Sequence, residues 1–149
     1  MKKILATLFT LAFGVSLFAQ KQESATPVKS SVNDQEIRKE TEALTIKYNL
    51  SADQAKQMYT IQQRKAKNLA DIAPLQTSDP ALYRSKVKNV QTGTLASIRR
   101  ILRSKDQVDL FEKTKSEIRV LQSKKQKELA AKKATREEIE NALLAIYAE

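Results

Sequence analysis

The chain has 149 residues, and its 27 Lys and Arg outnumber 17 Asp and Glu to give a formal charge of +10. It has no Cys, His or Trp, only 2 Gly and 3 Pro. These absences exclude a disulfide framework, a thiol nucleophile, a lipid-modified Cys, the usual zinc and copper sites, a His-based general base and a Gly-rich phosphate loop. The composition points away from an enzyme, and neither a metal nor a cofactor is expected.

At the start of the chain, Lys2 and Lys3 precede an uncharged, mostly apolar run from Ile4 to Phe18, followed by the small residue Ala19. The run is about fifteen residues, short of the roughly 20 that span a bilayer. A basic stretch, an apolar stretch and a small residue read as a cleaved secretory signal over 1–19, which implies a periplasmic or secreted protein; the plain alternative is a buried N-terminal helix or an uncleaved anchor. Removing it leaves 130 residues carrying +8, among which Leu, Ile, Val, Met and Phe number 29. That supply fills a seam between helices but not a thick core. The expected fold is all-α, an elongated four- to five-helix hairpin-type arrangement completed by homodimerisation. Residues 20–32, polar and holding Pro27, read as a flexible leader, and 33–149 as a single helical domain.

Asn33 followed by Glu36 marks the first helix start, and Ile37, Thr41, Leu44 and Tyr48 recur on one face. Asn49 is its expected end. Leu50-Ser51-Ala52-Asp53-Gln54 then forms a capping box: Ser51 can accept from the Gln54 N–H, while the Gln54 side chain reaches back to the Ser51 N–H. Met58, Ile61, Leu69 and Ile72 follow within about 80° of arc, with Lys65 inside the stripe and expected to snorkel. Pro74 to Asp79 reads as a turn, Asp79 as the next cap and Pro80 as the first helical residue. Tyr83, Val87, Val90, Thr94, Ile98 and Ile101 make the following stripe. Gly93 interrupts it at a cost of about 1 kcal/mol against Ala, which a bend or a close helix approach would justify.

A second box, Ser104-Lys105-Asp106-Gln107, opens a long helix with Val108, Phe111, Ile118, Leu121 and Leu129 on its stripe. A third, Thr135 with Glu138, opens a last helix carrying Ile139, Leu143 and Ile146. No strand pattern competes. The two Ser-x-Asp-Gln boxes lie 53 residues apart, and each follows one helix and opens another. Duplication of a helix pair and chance recurrence of a common capping sequence both account for them.

With Leu50, Ser51 and Gln54 at one site and Ser104 and Gln107 at the other, the chain resembles the Spy/CpxP family of periplasmic stress proteins. That family carries paired Leu-Thr-x-x-Gln motifs. Ser replaces Thr at both sites, and Arg103 stands where the family has Leu, with Leu102 adjacent. The resemblance spans most of residues 33–133. It implies a bent helical hairpin forming a cradle-shaped homodimer, and an ATP-independent chaperone or envelope-stress adaptor that holds unfolded clients on a basic and apolar surface. Zinc-binding relatives use His or Cys, so no metal site carries over.

The charge distribution is compatible with that implication. Residues 99–133 hold 12 basic and 5 acidic side chains, and residues after Lys133 hold 1 and 4. Arg99, Arg100, Arg103, Lys105, Lys113 and Arg119 form the candidate basic binding surface. A solvated helix face that aids solubility is the plain account. The functional account is a surface for acidic or unfolded protein clients, or, as an alternative, a structural module that binds anionic lipid or lipopolysaccharide. Nucleic acid is not expected, since export and the shortage of aromatic stacking residues oppose it. The acidic C-terminal segment is placed to fold back on the basic helix, within one chain or across a dimer. Glu36, Glu40, Glu42, Glu137, Glu138 and Glu140 read as ordinary i,i+4 partners. The four Tyr read as amphipathic packing residues.

Overall fold

The computed structural model describes residues 34–147; the expected signal and leader lie outside the described residues. Helices begin where side chains can satisfy their orphan N–H groups. Helix α1 (Asp34–Lys47) is followed by α2 (Ala52–Ile72), α3 (Leu75–Ser78), α4 (Pro80–Ile101), α5 (Lys105–Ala131) and α6 (Arg136–Leu144). All three capping boxes form, at Ser51, Ser104 and Thr135. Asp79 caps α4 by accepting from the Leu82 N–H at 2.9 Å, with Pro80 opening the helix. No strand occurs among the described residues.

Six helices replace the expected four to five because the Pro74–Asp79 turn closes into one helical turn. There the Asp79 N–H donates to the Leu75 carbonyl at 2.9 Å, and Ser78 Oγ donates to the Pro74 carbonyl at 3.1 Å.

Helix ends follow the same local logic. Asn49 sits at φ 48°, its N–H donating to the Ile46 carbonyl while the Leu50 N–H donates to Thr45. That is a Schellman ending, with Asn in the left-handed position it tolerates. Lys133 ends α5 the same way at φ 57°, its N–H donating to Ala130 while the Ala134 N–H donates to Leu129.

Helix α1 packs on α2, and α2 packs antiparallel on α4. The α5–α6 turn sends α6 back so that it touches both α5 and α4. The core is a seam of eight buried side chains, drawn equally from two helix pairs. Leu44, Tyr48, Met58 and Ile61 come from the α1–α2 segment, and Ile98, Ile101, Leu102 and Phe111 from the α4–α5 segment. Tyr48 and Phe111 meet with ring centroids 6.1 Å apart.

Several side chains depart from the periodic expectation. Leu121 is 51% exposed, while Thr114 on the same helix is buried. Lys65 does not simply reach for water: its ammonium lies 3.4 Å from Glu40 on α1. Outside its own stretch of helix, no heavy atom lies within 4 Å of where a Gly93 Cβ would sit, so close packing does not explain that glycine.

A left-handed Lys is strained where Gly is not. Lys133→Gly is expected to stabilise the protein by about 0.5–1 kcal/mol, read from denaturant midpoints at constant m. An unchanged or lowered midpoint contradicts the assignment of strain at this helix end.

Candidate functional site

The two Ser-x-Asp-Gln boxes meet in space. In isolation each does what a capping box does: Gln54 Oε1 accepts from the Ser51 N–H at 2.9 Å, and Gln107 Oε1 accepts from the Ser104 N–H at 3.3 Å and the Arg103 N–H at 3.0 Å. Both Gln side chains are also buried, and each amide donates to the other's oxygen. Gln54 Nε2 donates to Gln107 Oε1 at 2.9 Å, and Gln107 Nε2 donates back to Gln54 Oε1 at 3.1 Å.

The second donor of each amide goes to a carbonyl at the opposite helix ending. Gln54 Nε2 reaches Ile101 O at 2.7 Å, the end of α4, and Gln107 Nε2 reaches Asn49 O at 2.9 Å, just past α1. Each Gln thus caps the start of its own helix and the end of a helix in the other pair. Both donors of both amides are used, the condition under which a buried polar network rigidifies rather than destabilises.

The pairing extends beyond the glutamines at the same 53-residue offset. Thr41 and Thr94 are both buried and both donate to the carbonyl four residues earlier. Tyr48 with Ile101, Met58 with Phe111, and Ile61 with Thr114 are further buried pairs. The α1–α2 and α4–α5 segments therefore bury matching positions around a pseudo-twofold Gln–Gln junction. Leu50, the remaining motif residue, is half-buried and packs against the core seam.

Gln62 is a buried polar group that sequence periodicity missed. Its Nε2 lies 3.7 Å from Met58 Sδ, and its Oε1 is buried without a partner among the described residues.

The candidate basic residues divide by partner. Arg99, Arg100, Arg103, Lys105, Lys113 and Arg119 are all exposed. Lys105 pairs with Asp109 and Lys113 lies 4.0 Å from Glu117, both one turn away, so their charge is partly matched locally. Hydrogen bonding to Asp109 holds the Lys105 ammonium above its ordinary pKa. The side chains of Arg99, Arg100, Arg103 and Arg119 have no ion pair among the described residues. Val120 and Leu121, beside Arg119 and Lys124, are 65% and 51% exposed.

The acidic segment does fold back within the chain, against both α5 and α4, but its carboxylates pair with Arg84 of α4 and not with the basic residues of 99–133. Arg84 contacts Glu137 at 2.7 Å and Glu140 at 3.3 Å. Gln91 Nε2 donates to Leu144 O at 2.8 Å, the Tyr147 hydroxyl donates to Gln91 O, and Gln122 Nε2 donates to Ile146 O at 2.8 Å. Nothing on α6 itself is fully buried.

Among the described residues, no group of three or more acidic, His or Cys side chains could hold a metal, and no helix is long and apolar enough to cross a membrane. The chain matches no protein-family model, curated protein or solved structure.

Removing one amide of the Gln pair leaves the other with unpaired buried atoms. Gln54→Leu and Gln107→Leu are each expected to cost about 2–3 kcal/mol, and the double variant about 1 kcal/mol or more less than their sum. Strict additivity in chemical denaturation contradicts the mutual bond.

Helix α6 has the opposite character: none of its residues is fully buried, and exposed carboxylates supply part of its attachment. Hydrogen bonds from Thr135 lower the Glu138 pKa below 4.5, and those from Arg136 lower that of Glu140. A depressed carboxyl pKa stabilises above its unfolded value and ceases to do so as pH falls through the folded one. Amide protection in α6 should hold above pH 4.5 and fall as the pH is lowered below it, while that of α2 persists. Equal loss in both contradicts an independent α6.

Proposed function

We propose that the chain is an exported, non-enzymatic helical protein of Spy/CpxP-like type, acting as an ATP-independent chaperone or envelope-stress adaptor for unfolded or acidic clients. The supporting observation is that the α4–α5 junction carries guanidinium groups with no ion pair among the described residues and that α5, further along, carries exposed apolar side chains. Arg99, Arg103 and Arg119 supply charge, and Val120 and Leu121 supply uncovered apolar surface. Burying exposed client side chains on such a surface is favourable without nucleotide, and charge steering raises the encounter rate with acidic segments. The paired motif residues contribute by holding the two helix pairs together. A homodimer fits this reading, because a second copy would extend the same surface.

The test is suppression of aggregation of an acidic client, followed by light scattering. Suppression is expected at a few-fold molar excess, falling several-fold when Arg99, Arg103 and Arg119 are all changed to Gln, and weakening with added salt. No suppression at any excess refutes the reading. Binding to anionic vesicles without suppression favours the lipid or lipopolysaccharide alternative.

A further inference from the structure

A groove runs along the α2–α4 seam, away from α5 and α6. One part, about 300 Å³, is lined by Ile61, Arg64, Asn68, Asn89, Gly93 and Arg100 among others. A second, about 290 Å³, continues it and shares Ile61, Arg64, Ser97 and Arg100. No Asp or Glu lines either part. Glu40 reaches Lys65 at the margin, which matches that one ammonium. The side chains of Arg64 and Arg100 have no ion pair or hydrogen bond to the described residues, unlike those of Arg38, Arg84 and Arg136.

Gly93 supplies a second and independent observation. A glycine inside a 22-residue helix costs about 1 kcal/mol against Ala, and nothing packs closely enough to require it. What it does is leave the groove wall without a side chain. The two features combine into a recess with an apolar floor, Ile61 and Val90, and two guanidinium forks that lack acidic partners. A guanidinium fork matches a pair of oxygens, and two forks match a multi-oxygen anion better than a single carboxylate. The volume lies at the lower end of small-ligand sites.

We propose that this groove binds a phosphoryl group, with Arg64 and Arg100 as its ligands and Gly93 keeping the recess open. The groove takes Arg100 from the edge of the candidate basic surface, but phosphoryl binding there does not depend on the client reading. The phosphoryl group can come from a phospholipid headgroup or from a soluble phosphate, and the experiment distinguishes them.

The purified protein is melted in phosphate and in chloride at equal ionic strength, and tested for co-sedimentation with vesicles of phosphatidic acid in phosphatidylcholine. With a dissociation constant of ~1 mM, ~20 mM phosphate should raise Tm by about 5 °C. Arg64→Gln combined with Arg100→Gln should reduce that shift to under ~1 °C, while Arg99→Gln with Arg103→Gln retains it. Gly93→Leu leaves the charge unchanged and also abolishes the shift, which a diffuse basic surface would not show. Circular dichroism checks that each variant remains helical. A shift with phosphate alone assigns a soluble ligand. Vesicle binding that requires Arg64 and Arg100, without a shift in free phosphate, assigns a headgroup. The proposal is overturned if the variants behave as the parent or if neither probe binds.

Discussion

The structure depends on a reciprocal bond between two glutamines. Gln54 and Gln107 each begin as ordinary helix-start residues, yet their amides meet and cap the endings of the opposite helix pair. A helical protein with so few buried apolar side chains has little apolar area with which to fix the angle between its parts. Eight core side chains supply cohesion, but dispersion and hydrophobic burial are weakly directional. The Gln pair supplies direction. It ties four chain segments, at 49, 54, 101 and 107, through contacts that fail together if either helix start shifts.

Much of this architecture is readable from local chemistry. The boxes at Ser51, Ser104 and Thr135, the Asp79–Pro80 start and the Asn49 ending all form because each satisfies a backbone group within a few residues. Ile37, Thr41, Leu44 and Tyr48 are buried on one face as their spacing requires. The pairing of the two boxes is not local. A capping box predicts where a helix begins and carries no information on what else the glutamine touches, although the common 53-residue offset of Thr41, Ser51, Asp53 and Gln54 from Thr94, Ser104, Asp106 and Gln107 is visible in the sequence. Leu121 fails for a related reason. Periodicity places it near the buried stripe of α5, but α6, which packs there, covers Gln122 and leaves Leu121 open.

The basic character divides into two kinds of charge. Along α5, Lys105, Lys113, Lys115, Lys125 and Lys132 have acidic neighbours one turn away, the ordinary arrangement of a solvated helix. The guanidinium groups of Arg64, Arg99, Arg100, Arg103 and Arg119 have no ion pair among the described residues. Net charge alone cannot separate these groups, because it counts a matched Lys and an unmatched Arg equally. A solvated cation without a neighbouring carboxylate keeps its field available to an external anion. Helix α6 shows the matched case at a tertiary contact, with Arg84 drawn to Glu137 and Glu140.

Amide hydrogen exchange at three residues tests the central role of the Gln pair most directly. Ser51, Arg103 and Ser104 are exposed and lie outside helices, so their N–H groups would ordinarily exchange fast; here they donate to the two glutamine oxygens. If the pair joins the two halves, these three amides are protected as strongly as those around Met58 and Ile98, and they open only with global unfolding. Exchange as rapid as that of the amides in α6 would show that the glutamines are not held, and that the helix pairs are joined by apolar contact alone.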